Sequence, residues 1–313
     1  MQRTLGLLLL VLMLFAPFCG GCGPDLWADV DVANLGLQRP GAWAVWTRDA
    51  RGRAVTYFLD ERGEERSREP GIVLRTRAGE LLWREERVAV PTVPCVGFPE
   101  LPPGEGWETR GLLVPRAGAS IEVDPPRPQT TEDEDGWLPN ELASTLELRG
   151  SAGSLLFLHR STYAYACGVH GNTAGDTFTW DLEARARVDL RRELARDDLE
   201  RAAREAVKRE VEEDEVRPVF GDALRLTGLV PRYDARGLRL EYQLTADTCY
   251  ACTKGDAGSY TTSELVGSQL LPASLAPHAL LPEAVARFAR SHPELTLGGY
   301  GGDEREAPPA SSR

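Results

Sequence analysis

Residues 161–190 read STYAYACGVHGNTAGDTFTWDLEARARVDL, and the two ends of this stretch decide the fold. Tyr163, Tyr165 and Cys167 alternate with Ala164 and Ala166; further on, Phe178, Trp180 and Leu182 alternate with Thr177, Thr179 and Asp181. A period of two is the mark of a half-buried strand. Between the strands the chain is rich in glycine, at Gly168, Gly171 and Gly175, and reads as a loop. Strand alternation places Tyr163, Tyr165 and Trp180 on buried faces.

The same signal continues on both sides. Upstream, Leu146-Glu-Leu148 and Leu155-Leu-Phe-Leu158 flank a Gly/Ser turn. Downstream, Leu238, Leu240, Tyr242 and Leu244 alternate with Arg239, Glu241 and Gln243 after an Asp234-Ala-Arg-Gly237 turn. Asp197, with Glu200 three residues on, reads as the cap of an amphipathic helix with Leu199, Ala203, Ala206, Val207 and Val211 as its stripe. Pro282–Ser291 reads as a short helix. Nearer the start, β-rich runs fall at 43–47, 54–59, 72–76, 81–84 and 87–90, joined by Gly-bearing turns. The fold class expected is α+β: a mainly antiparallel sheet with one principal amphipathic helix, preceded by a β-rich N-terminal region. Composition divides the chain into a signal peptide (1–22), a tether (23–40), a β-rich region (41–125), an acidic and proline-rich linker (126–141), the α+β domain (142–294) and a disordered tail (295–313).

Composition narrows the partners. Hydrophobic residues make up 42% and charged residues 27% of the chain, as in ordinary globular proteins. A formal charge of −12 argues against nucleic acid, which needs a basic footprint, and supplies no polybasic patch for anionic lipid. Membrane attachment would therefore rest on the N-terminus. Met1-Gln2-Arg3-Thr4, an apolar run Leu5–Phe18 and Cys19-Gly20-Gly21-Cys22 form an export signal too short for a spanning helix. Gly21 before Cys22 suits lipoprotein processing, with Cys22 acylated, whereas Phe18 before Cys19 does not; soluble secretion is the alternative. The expected location is the bacterial cell envelope, on a membrane through a lipid anchor.

Four further cysteines remain: Cys95, Cys167, Cys249 and Cys252. An even number in an exported protein implies disulfides, and four cysteines allow three pairings. Cys167-Gly-Val-His170 with Cys249-Tyr-Ala-Cys252 could instead be written as a zinc set. The oxidising compartment favours disulfides, and no metal or other cofactor is expected. A thioredoxin-like CxxC lacks its following βα unit.

The 161–190 segment, with Tyr163 and Tyr165, then Gly168, His170 and Asn172, then Trp180-Asp181-Leu182, resembles the extracellular domain family shared by the anti-sigma factor RsiV and the deacetylase PdaC. The resemblance covers about Leu142–Ser274, with Leu238–Leu271 similar to the closing strands. Cys167 stands where the family loop has its first glycine, so a disulfide is expected to set the loop geometry. The resemblance implies an envelope domain that meets wall-derived ligands such as peptidoglycan, or a lysozyme-like protein, through a loop including Gly168, His170 and Asn172. It implies no catalysis, because no HxxxH or HExxH pair is present. Two other classes stand beside this reading. One is a glycan-acting enzyme using His170 with an acid such as Asp176; the other is a structural partner in an envelope complex. His170 has no GxSxG serine to serve and no carboxylate placed to orient it, so a backbone-bracing role in a tight turn, with Asn172 in a left-handed conformation, is the reading preferred for it.

Overall fold

The computed structural model describes residues 43–76, 79–95, 104–125, 140–165, 171–202, 204–205, 225–234, 237–247, 259–266 and 271–302. Cys22, Cys167, Gly168, His170, Cys249 and Cys252 lie outside them.

Three sheets carry the described chain. The first has the order β15-β1-β2-β3, with β1 Trp43–Arg48, β2 Ala54–Leu59, β3 Glu65–Pro70 and β15 Thr296–Gly301. The second runs β11-β10-β9-β8-β6-β5-β4, with β7 added to β6. Its strands are β4 Ile72–Thr76, β5 Gly79–Ala89, β6 Gly106–Pro115, β7 Ile121–Val123, β8 Glu141–Ala152, β9 Leu155–Tyr165, β10 Asn172–Asp181 and β11 Ala186–Val188. The third is β12 Arg225–Asp234, β13 Gly237–Asp247 and β14 Ser259–Val266.

The run Leu155-Leu-Phe-Leu158 explains how the sheets stack. Leu156 and Leu158 face one core with Trp46, Trp83, Leu113, Leu146 and Trp180. Leu155 and Phe157 face the opposite way, into a core built with Leu229, Leu238, Leu240 and Tyr242 of the three-stranded sheet. A strand buried on both faces loses its polar alternation and reads as continuous apolar sequence. Complete burial of such side chains stabilises by about 1.5–3 kcal/mol each. A third core seats the helix Glu283–Ser291, through Val285 and Phe288, against Val45, Tyr57 and Leu59 of the first sheet.

Thr56 makes the corner where the chain leaves the first sheet for the second. It is fully buried; its Oγ1 donates to the Gly71 carbonyl at 2.9 Å and accepts from the Val73 N–H at 2.8 Å. Gly71, at φ 91°, supplies the left-handed turn between β3 and β4 that a side-chain-bearing residue resists.

The α+β expectation is corrected: the fold is mostly β, with no dominant amphipathic helix. The cores are made almost wholly of strand side chains, so helices cover sheets rather than organise them. The expected helix is described at 196–202 and 204–205, beginning before Asp197. The N–H groups of Asp198 and Leu199 both donate to the Ala195 carbonyl, so Asp197 sits in the first turn, where its charge favours the helix dipole, instead of capping it. The buried residue there is Ala202, with Leu199 packed beside it.

The disordered-tail reading of 295–313 is also corrected at its start, because Thr296–Gly301 is a strand paired antiparallel with β1. Glycine-rich composition concealed it. Likewise the second sheet crosses the linker drawn at 126–141: β6 pairs parallel with β8 at Gly106↔Leu142 through Glu108↔Ser144. The expected hairpins 43–59 and 72–84 are present, and the alternating residues 238–244 lie in the longer strand β13. Ser259–Val266 forms β14, paired antiparallel with β13.

Candidate functional site

The end of β9 and the start of β10 are where the expected binding loop leaves the sheet. These two strands pair antiparallel from Leu155↔Asp181 to Ala164↔Asn172. Asn172 is therefore an extended residue opening β10, and not a left-handed loop residue; Gly175 likewise lies inside β10, opposite Ser161. The expected loop 168–175 is thus shorter than its composition suggests, because glycine content masks strand pairing.

Tyr163 is the side chain that stands out. It is 38% exposed, which corrects the expectation of a buried ring, whereas Trp180 is 6% exposed and belongs to the core. The Tyr163 ring lies close against Gly171: a Cβ built there would meet the ring carbons at 2.3 and 2.4 Å and the hydroxyl at 2.4 Å. Glycine at 171 lets the ring settle on the backbone as the chain re-enters the sheet. Beneath this end, Ser144 Oγ and Thr162 Oγ1 hydrogen-bond across β8 and β9 at 3.1 Å.

Asn140 braces the same end from the side. It is 6% exposed. Its backbone N–H donates to the Tyr165 carbonyl at 2.7 Å, and its side-chain amide donates to the Val93 carbonyl at 3.0 Å. Cys95, two residues past Val93, is 4% exposed and disulfide-bonded to a cysteine outside the described residues.

Asp176, the acid considered as a partner for His170, accepts a 2.6 Å hydrogen bond from Arg187. That ion pair ties β10 to β11. His159 Nδ1 lies 2.9 Å from Thr177 Oγ1, joining β9 to β10 lower in the sheet. Among the described residues, no group of three or more His, Cys, Asp or Glu side chains converges as a metal site. None of their helices is long and apolar enough to cross a membrane.

Sequence reasoning passed over Asn140. Its only signal was its position just before an apolar-periodic strand, and its two contacts lie 25 and 47 residues away in the chain.

No family model matches the chain, and no curated protein does. Solved structures similar to it are DUF3298 family proteins. One, from Pseudomonas aeruginosa PAO1, is 13% identical with a TM-score of 0.34, and the match covers 64% of this chain and 95% of that one. Another, from Bacteroides fragilis NCTC 9343, is 12% identical with a TM-score of 0.35, covering 67% of this chain and 98% of that one. At these values the likeness carries no argument about the site.

Proposed function

We propose that the protein is a lipid-anchored envelope protein of the RsiV and PdaC type. It binds a wall-derived or protein ligand at the Tyr163–Gly171 end of β9 and β10 without turning it over. The exposed Tyr163 ring carries this reading. An aromatic side chain held on a strand offers broad contact area at little entropic cost, and tyrosine is enriched where proteins meet ligands. The resemblance of residues 161–190 supports the class of ligand, and Gly20-Gly21-Cys22 supports the anchor.

The test uses the full chain, with isolated peptidoglycan and with a lysozyme-type hydrolase as probes. Tyr163→Ala should weaken retention of one of them about tenfold, equivalent to ~1.4 kcal/mol. Its thermal midpoint should stay near wild type, because the ring is more than a third exposed. Unchanged retention of both probes would end the binding reading. Cys22→Ser should release the protein from the membrane fraction or leave its precursor uncut, since a single acyl chain holds only marginally and stable anchoring takes two.

A further inference from the structure

We propose that Trp107 and Tyr163 are the two walls of a cleft floored by Ala143, and that this cleft holds a cell-wall glycan strand carrying carboxylates. The inference rests on the binding function proposed above and takes the wall, rather than a protein, as the ligand.

Strand register builds the cleft. Trp107 of β6 pairs with Ala143 of β8, Ala143 with Tyr163 of β9, and Tyr163 with Thr173 of β10. Directly paired residues point to the same side of a sheet, so these four stand in one row. Neighbouring strands are about 4.8 Å apart, which sets the two aromatic residues roughly 10 Å apart with only a methyl group between them. Tyr163 is exposed, and Trp107, Ala143 and Thr173 are partly so. Each ring is held from its outer side. Tyr163 rests against Gly171, at the entry to β10. The Arg87 guanidinium carbon lies over the Trp107 ring, 4.0 Å from its centroid. Arg87 belongs to β5, on the far side of β6 from β8, so it covers the indole from the side away from Ala143.

The carbon–hydrogen face of a sugar ring packs on the electron-rich face of an aromatic ring, and two such rings across one small residue suit adjoining sugars of a chain. Polar groups line the same face. Thr145 pairs with Ser161, and Ser161 with Gly175, in the next row. The Ser161 and Thr173 hydroxyls have no partner among the described residues and are free to bond sugar hydroxyls. Arg87, opposite Thr109, supplies the charge. It is exposed and has no ion pair among the described residues, although the chain carries a formal charge of −12. A cation held over a ring and left clear of the surrounding acids is complementary to a carboxylate on the ligand. Glu141 is the acid of this face; it pairs with Tyr165 and lies against Gly104, on the other side of the aromatic row from Arg87. A partner's strand has no edge to join here, because β6, β8, β9 and β10 are each paired on both sides.

Retention of the full chain on isolated peptidoglycan and on a lysozyme-type hydrolase tests the cleft. Trp107→Ala and Tyr163→Ala should each weaken retention on peptidoglycan about tenfold, and Ala143→Leu, which fills the gap, should do the same. None of the three should change retention on the hydrolase. Arg87→Gln should weaken peptidoglycan binding severalfold, whereas peptidoglycan with its carboxyls amidated should hold wild type and Arg87→Gln equally. Where Trp107→Ala lowers the thermal midpoint, Ala143→Leu and Arg87→Gln decide, since both residues lie on a solvated face. Peptidoglycan retention lost in Tyr163→Ala but kept in Trp107→Ala and Ala143→Leu overturns the cleft and leaves the binding function standing. Loss confined to the hydrolase overturns the glycan. Unchanged retention of both probes in Tyr163→Ala removes the binding function itself. An advantage of wild type over Arg87→Gln that survives amidation overturns the carboxylate contact.

Discussion

Arg187 grips Asp124 with both ends of its guanidinium: Nε donates to Oδ1 at 2.7 Å and Nη2 donates to Oδ2 at 2.6 Å, across 63 residues of sequence. Its third nitrogen donates to Asp176 at 2.6 Å, and the guanidinium carbon lies over the Phe178 ring, 3.7 Å from its centroid. The Asp124 hydrogen bonds hold the Arg187 charge above its ordinary range, against the opposing effect of burial and with further help from Asp176. The position of the pair gives it its weight. β6 and β8 pair only from Glu108↔Ser144 back to Gly106↔Leu142. Past that point Asp124, just beyond β7, reaches Arg160 of β9 and Arg187 of β11. The clamp therefore spans the sheet where its hydrogen-bond ladder stops.

Asp124 also stands at φ 51°, a conformation that favours glycine. Asp124→Ala should destabilise by about 1–2 kcal/mol, a figure kept low because Arg187 is partly exposed and retains Asp176. Asp124→Gly should cost less than Asp124→Ala, by about 1 kcal/mol, because glycine relieves the backbone. Urea denaturation of the two variants checks the order; an equal or larger loss for glycine would refute the backbone part.

Gly298→Ala should be among the most damaging small substitutions. Its Cβ would fall 1.9 Å from the Trp46 ring. That ring is 1% exposed, and its Nε1 donates to Ser151 Oγ at 2.8 Å, so it has little room to move. Overpacking of this kind costs about 1–3 kcal/mol. A smaller residue at 46 should recover part of the loss in the double variant, and the comparison of thermal midpoints decides it.

Acid should weaken the corner of the second sheet through Glu80. Burial raises its carboxyl, but hydrogen bonds and charge from Arg75 and Arg116 outweigh that and bring it below its ordinary 4.5. The contribution is whole above 4.5 and is lost as pH falls through the lowered value. Glu80→Gln should destabilise the protein at pH 7 by about 1–2 kcal/mol and flatten the stability curve below pH 4.5. Denaturant midpoints measured across that range test the slope.

Alkali should act through tyrosines. Burial pushes Tyr242 up to about 12, with the Asp198 charge adding to it, and burial alone pushes Tyr300 up to about 12. Both keep their protons longer in the folded chain than in the unfolded one. Their contribution is full below pH 10 and is lost as pH rises through about 12. Ultraviolet titration of tyrosinate should show late ionisation coinciding with loss of near-ultraviolet circular dichroism. Tyr300→Phe should shift that unfolding to higher pH.

Strands with one solvated face were plain in the sequence, as with Leu238 to Leu244, because alternation records burial directly. The run Leu155–Leu158 was legible as a strand but not as the shared wall of two cores, since continuous apolar sequence does not say what lies on either side. β3, Glu65-Arg-Ser-Arg-Glu-Pro70, was invisible: it is an edge strand whose charged side chains carry no apolar period. β15 was misread because Gly298 and Gly299 are there to admit Trp46, a requirement set by a residue some 250 positions earlier. The candidate loop showed its glycines, but the exposed Tyr163 and the bracing by Asn140 depend on long-range contacts that local pattern does not encode.

The pairing of β1 with β15 has a consequence for how the molecule is made. One strand opens the described residues and the other nearly closes them, and contacts of such long sequence separation slow folding. Trp46, the ring at the centre of this junction, has neither Gly298 beside it nor its sheet complete until residue 301 is available. Among the described strand pairings, that of β1 with β15 has the longest sequence separation, so refolding meets its largest loop-closure cost there.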